Sequence, residues 1–253
     1  MSDTDKHGEA RTGHKTEDRT AGGGLIPKHG GYKNTKSWQL ADLIYDVTVR
    51  FCDKFVDPRS RTHDQMVQAA RSGCQNLQEG SLDSATSKKI ELKLTGTSRG
   101  SLEELQRDYQ KFLSHRNLPE WPPDHPALKR FKALRCESLE QFRGWVAEEY
   151  RRYKAEGRDT DGHGQARTEE GATEQPGIRR GSDVRAGPCG SVPVRVTPQT
   201  FGAVCAANGA LSLLNLCIHL VKRQIDAQAK AFEEEGGFTE RLYRTRQTRR
   251  RNE

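Results

Sequence analysis

A chain of 253 residues has room for one or two domains and a sizeable core, yet only 32% of it is hydrophobic while 30% is charged. Together with a mean hydropathy of −0.92, this excludes a polytopic membrane protein, a collagen and a disulfide scaffold, and it concentrates the apolar residues in part of the chain. The net charge of +7 and an isoelectric point near 9.1 favour acidic partners such as nucleic acid.

Residues 1–30 are polar, Gly-rich and unpatterned, the composition of a disordered tail. They contain no apolar run of signal-peptide type, so a cytoplasmic, reducing setting is expected. The six cysteines, Cys52, Cys74, Cys136, Cys189, Cys205 and Cys217, form no CxxC pair. Most fall in apolar helical patterns, where cysteine acts as a small hydrophobe.

A first helix is predicted from Ser37 to Phe55, with Trp38, Ala41, Ile44, Tyr45, Thr48, Phe51, Cys52 and Phe55 at helical spacing. Asp57-Pro58 stops it, because proline disfavours a helical residue before it. Thr62-His-Asp-Gln65 has the form of a capping box and opens a second helix. That helix carries Met66, Ala69, Ala70, Gly73, Cys74 and Leu77, with Gly80 expected as its left-handed cap. The third is predicted from about Ser84–Ser87 to Leu113, on a stripe of Ile90, Leu94, Thr97, Ser101, Leu102, Leu105, Tyr109 and Phe112. Gly96 and Gly100 lie four apart on it and would permit a close helix approach.

Residues 114–154 read as a helical insertion. A proline-rich connector from Asn117 to Pro126 leads to a short helix over Ala127–Cys136. A second capping box, Ser138-Leu-Glu-Gln141, starts an amphipathic helix carrying Leu139, Phe142, Val146 and Tyr150 and ending near Lys154. Residues 155–196 have almost no large apolar side chains and read as a disordered linker.

Thr197-Pro198 is an N-cap followed by proline at the first helical position. The helix it opens runs to about Glu235 and stops at Gly236-Gly237. From Val196 to Val221 it has no charge and is long enough to span a bilayer. Asn208, Ser212, Asn215 and His219 nevertheless form one polar stripe that continues into Lys222 and Arg223, which favours a core helix over a membrane span. Residues 238–253 are a basic suffix with Arg241, Arg244, Arg246, Arg249, Arg250 and Arg251. No strand-like alternation of useful length occurs. The ordered part is expected to be all-α.

Four segments carry a resemblance. Gln65-Met-Val-Gln-Ala-Ala-Arg-Ser72, Asn76-Leu-Gln-Glu-Gly80, and Ser87-Lys-Lys-Ile-Glu-Leu-Lys-Leu94 with Ser101-Leu-Glu-Glu-Leu105 resemble small bacterial four-helix bundle proteins. That family was first met inside intervening sequences of large-subunit ribosomal RNA genes. The run Glu233-Glu-Glu-Gly-Gly-Phe-Thr-Glu-Arg-Leu-Tyr-Arg244 is similar to the branch with a four helix bundle suffix domain. Leu77 and Gln78 depart from the usual Ile-Ala before Glu79, and Cys74 replaces a polar residue or proline. The resemblance implies an antiparallel up-down four-helix bundle, assembled as a homo-oligomeric ring of five identical subunits, with no enzymatic activity. One branch, the accessory proteins of diversity-generating retroelements, binds nucleic acid and a reverse transcriptase.

The residues themselves point to no active site. The histidines form no HExxH motif and no close Cys/His cluster, and the GxGxxG, GxSxG and P-loop patterns are absent. His63 lies in the capping box, and His219 is read as a hydrogen-bonded interior residue. No cofactor, no metal, no catalytic residue and no membrane partner is expected. Asn76 and Glu79 share one face of the second helix, and a structural polar network with Arg71 or Arg99 is the preferred reading. Candidate phosphate contacts are Lys88, Lys89, Lys93 and Arg99 on the third helix, together with the six suffix arginines. The function expected is a nucleic-acid-binding module, for RNA or DNA, accessory to a nucleic-acid-processing protein. The alternative is a protein-interaction adaptor with no nucleic-acid role.

Overall fold

A computed structural model describes residues 31–161 and 196–252. The expectations for 1–30, for 162–195 and for Cys189 lie outside the described residues. Every regular element among the described residues is helical. A 3-10 turn at Gly31–Asn34 precedes α1 (Lys36–Phe55), α2 (Arg61–Asp83), α3 (Lys88–His115), α4 (Pro126–Leu134), α5 (Leu139–Asp161), α6 (Pro198–Glu235) and α7 (Phe238–Asn252). The protein is all-α.

Four helices, α1, α2, α3 and α6, follow one another around a common core. α1 and α2 run antiparallel, since Cys52 Sγ lies 4.0 Å from Met66 Sδ and Cys74 Sγ lies 3.6 Å from Asp42. α2 and α3 do the same, with Ser98 Oγ donating to the Gly73 carbonyl at 2.6 Å. α3 meets α6 through Gln106–Asn215 at 2.6 Å and Gln228–Glu91 at 3.1 Å, again antiparallel. The circuit closes between α6 and α1, where Ser37 Oγ donates to Gln224 at 2.7 Å and Cys217 Sγ reaches the Ser37 carbonyl. At the centre, the fully buried Tyr109 donates to Thr48 Oγ1 at 3.1 Å and its ring packs on Phe51, centroids 4.8 Å apart.

Several local expectations are corrected. Ser60, not Thr62, caps α2: its hydroxyl accepts from the Thr62 amide at 3.3 Å. Gly80 does not end the helix, which continues to Asp83. It is buried against α3, where an added Cβ would stand 3.3 Å from both the Glu91 carbonyl and Leu94 Cβ. The first half of α3 buries Thr95 and Ser98, while Ile90 and Thr97 are exposed. Small polar residues fit there because Gly73 and Gly80 bring α2 so near, and the Thr95 and Ser98 hydroxyls are satisfied by backbone carbonyls. Gly96 and Gly100, by contrast, face open space.

The insertion packs against α6. Asn208 is buried and clamps the proline-rich connector, accepting from the Trp121 amide at 2.7 Å and donating to the Pro119 carbonyl at 3.0 Å. His125 caps α4, its Nδ1 accepting from the Ala127 amide, with the ring stacked on Trp121. Burial and the nearby Arg130 lower the pKa of that imidazole, which favours the neutral form that can accept. Ser138 caps α5 by accepting from the Gln141 amide at 3.2 Å, as the second capping box anticipated. Arg130 of α4 grips the buried Glu149 of α5 with two hydrogen bonds of 2.7 and 2.5 Å. α5 continues to Asp161, beyond the expected end at Lys154, and Tyr153 donates to the Val196 carbonyl. The five described cysteines are free and buried, and burial pushes the Cys52, Cys74 and Cys217 thiols up to about 12.

Gly209 and Gly96 separate close packing from mere helix membership. A Cβ at Gly209 would stand 2.6 Å from Trp145 Cζ3 and 2.9 Å from the Phe142 ring, whereas one at Gly96 meets nothing within 4 Å. Gly209→Ala should cost about 1–3 kcal/mol through overpacking. Gly96→Ala should stabilise by about 0.5–1 kcal/mol through backbone entropy. Urea denaturation of both variants checks this, and shifts of equal sign would contradict the packing described.

Candidate nucleic-acid interface

The basic candidates lie on α3, near its start, and on α7, some 150 residues apart in the chain. The fold brings the start of α3 and the root of α7 to one end of the molecule. Because α3 and α6 are antiparallel, the first turn of α3 sits beside the last turns of α6. A cleft of about 460 Å³ is shared there by Lys36 and Ser37 of α1, Lys88 and Glu91 of α3, and Gln224 and Ala231 of α6. Four residues after Ala231, α6 stops and the chain turns into α7.

That turn needs glycine. Gly236 has φ +72°, a conformation that L side chains rarely adopt. At Gly237 a Cβ would crowd only the tip of the exposed Glu240 side chain, which can move aside, so the requirement falls on Gly236. The basic suffix after Gly237, to which the sequence assigns no element, is a helix of 15 residues. The signal was present: Glu240 falls in the first turn and Arg249, Arg250 and Arg251 in the last, the charge order that a helix dipole favours.

The candidate cations divide by whether they already have partners. Lys88 Nζ pairs with Glu91 at 3.1 Å. Arg99 donates to Glu103 at 2.8 Å, and this carboxylate holds the guanidinium above its usual range. Two further basic groups of the same end are also paired. Lys36 lies 2.6 Å from Glu137, which lowers that carboxyl, and Lys230 lies 3.8 Å from Glu234. Lys89 and Lys93 are exposed and have no ion pair among the described residues. The same holds for Arg244, Arg246, Arg249, Arg250 and Arg251. Arg241 lies on the first part of the same helix. The seven exposed, unpaired cations are therefore the ones open to phosphate, and Lys88 and Arg99 would have to give up an acid first.

The polar network proposed for α2 does not form. Asn76 Nδ2 donates to the Ser72 carbonyl of its own helix at 2.8 Å. Arg71 and Glu79 are exposed, and Arg99 turns to Glu103 instead. Helical spacing placed Asn76 and Glu79 on one face but did not say whether a neighbouring helix lay within reach. His219 is exposed and lines a cleft of about 540 Å³ with Trp121, Lys132 and Leu216, so it is not the interior residue expected. His63 sits in the first turn of α2, 3.6 Å from both Asp53 and Asp64.

α6 is long and apolar enough to cross a membrane, and two-thirds of its most apolar window is buried inside the protein. Comparison of the chain with protein-family models, curated proteins and solved structures returns no match.

Proposed function

We propose that this protein is a non-enzymatic nucleic-acid-binding module whose binding surface is the basic end formed by the start of α3 and by α7. The observation that carries this is the exposure of the arginines from Arg244 to Arg251, which have no acidic partner among the described residues, on a helix rooted at the end that also presents Lys89 and Lys93. Each guanidinium can fork to a phosphate, and such contacts give affinity without sequence preference. In the same reading, α1, α2, α3 and α6 make up an antiparallel up-down four-helix bundle, and the protein works in the cytoplasm beside a nucleic-acid-processing partner. The antiparallel contacts around the Tyr109 core support the bundle.

Self-association is part of the proposal, as a homo-oligomer and most simply a pentamer, because repeating one basic end would multiply weak phosphate contacts. The apolar excess of α6 does not itself demand a second copy, since α5 and the connector cover it. Leu82, Ile90 and Leu216 remain exposed and are available for such a contact. Light scattering at micromolar concentration should return a multiple of 28.5 kDa. A mass near 28.5 kDa itself would remove the ring from the proposal.

The adaptor reading also has a feature behind it. A cleft of about 990 Å³ between α1, α5 and the start of α6 has an apolar floor of Phe55, Leu139, Val146 and Tyr150. Tail truncation separates the two readings. Ending the chain at Tyr243 removes five arginines, so the slope of log affinity against log salt should shrink by up to about 4.5 for duplex or about 3.5 for single strands, per subunit engaged. Helical content before Gly236 should hold. Absence of binding at physiological salt in both forms would favour the adaptor, and an unchanged slope would move the surface to Lys89 and Lys93.

A further inference from the structure

The arginines of α7 are not confined to one face. At about 100° per residue, Arg241, Arg244, Arg246, Arg249, Arg250 and Arg251 fall at about 0, 300, 140, 80, 180 and 280°, so no gap around the helix exceeds about 100°. A helix that lies on a surface presents its cations on one side only. This one presents them all round, and every described side chain from Tyr243 to Arg251 is exposed. Such a distribution fits an environment with negative charge on two opposing walls.

A nucleic-acid groove supplies that environment, and its width selects the nucleic acid. The major groove of B-form DNA is roughly 12 Å wide and 8.5 Å deep and admits an α-helix, which measures about 10–12 Å across with its side chains. The major groove of A-form RNA is deep but too narrow to admit one. A single strand has one backbone and leaves half of the arginines without a phosphate. At about 1.5 Å per residue, the 15 residues of α7 extend about 22 Å, enough to follow a groove for several base pairs.

We propose that α7 enters the major groove of duplex DNA, its arginines reaching the phosphates of both walls, while Lys89 and Lys93 meet the flanking backbone. This rests on the nucleic-acid reading above and narrows it to one class of ligand. The groove contact depends on α7 being a helix and not merely on its charge.

The test uses the full chain with three probes: a mixed-sequence DNA duplex of about 20 base pairs, the RNA duplex of the same sequence, and the single DNA strand, at about 0.1 M salt. Fluorescence anisotropy should show the DNA duplex bound about tenfold more tightly than either other probe. Gln247→Pro keeps every arginine but breaks α7, and it should bring the DNA duplex down to the level of the others, whereas Gln247→Ala should retain the preference. Equal or tighter binding of the RNA duplex or the single strand, or a preference that survives Gln247→Pro, would overturn the groove proposal and leave the wider reading in place. Failure of all three probes to bind would overturn both. The comparison of probes on the unmodified chain stands whether or not the proline variant folds.

Discussion

The constraint on which the structure turns is the burial of the first half of α6 on every side. From Ala203 to Leu211 each residue is buried, including Asn208. An amphipathic helix needs cover on one stripe, but this stretch needs it all round. α1 and α3 supply one half of that cover. The other half comes from the insertion, with Trp145 and Phe142 lying over Gly209 and the connector tied down by Asn208. Asn208 is the one polar side chain in the stretch, and it makes three hydrogen bonds, so its amide is satisfied inside the apolar contact.

Further along, the same helix changes character. After Val221 it is covered mainly by α1 and α3, and its remaining faces carry Lys222, Arg223, Asp226 and Lys230. It thus emerges at the end where α1 and α3 begin, and carries the chain out to Gly236 and α7. The buried half of α6 fixes the architecture, and the exposed half fixes where the positive charge is presented. Local acids pair with Lys36, Lys88 and Lys230, so the field of that end comes from Lys89, Lys93, Lys222, Arg223 and the arginines of α7.

Helix positions were legible in the sequence because period and punctuation agreed. Asp57-Pro58, Thr197-Pro198 and Gly236-Gly237 each act through local backbone geometry, and each marks a boundary in the structure within a residue or two. Gly80 misled because the same residue type serves as a cap or as a site of close helix approach, and only the neighbouring Glu91 and Leu94 decide which. Thr95 and Ser98 were missed for a related reason. Their burial depends on Gly73 and Gly80 across the interface, which no pattern within α3 records. Asn76, Glu79 and His219 show the same limit, since spacing defines a face but not what that face meets. The basic character of this end was plain from composition, whereas the placing of the α3 start beside the last turns of α6 depends on the antiparallel pairing of those helices.

Two opposite states occur within one run of chain: Ala203–Leu211 of α6, enclosed on all sides, and Tyr243–Arg251 of α7, exposed throughout. Hydrogen exchange followed by mass spectrometry, with and without a DNA duplex, reads both at once. The slowest exchange should fall in Ala203–Leu211 and the fastest helical exchange in Phe238–Asn252, with added duplex slowing α7 while leaving the α6 core unchanged. Rapid exchange across Ala203–Leu211, or an α7 already protected and indifferent to the duplex, would contradict the account.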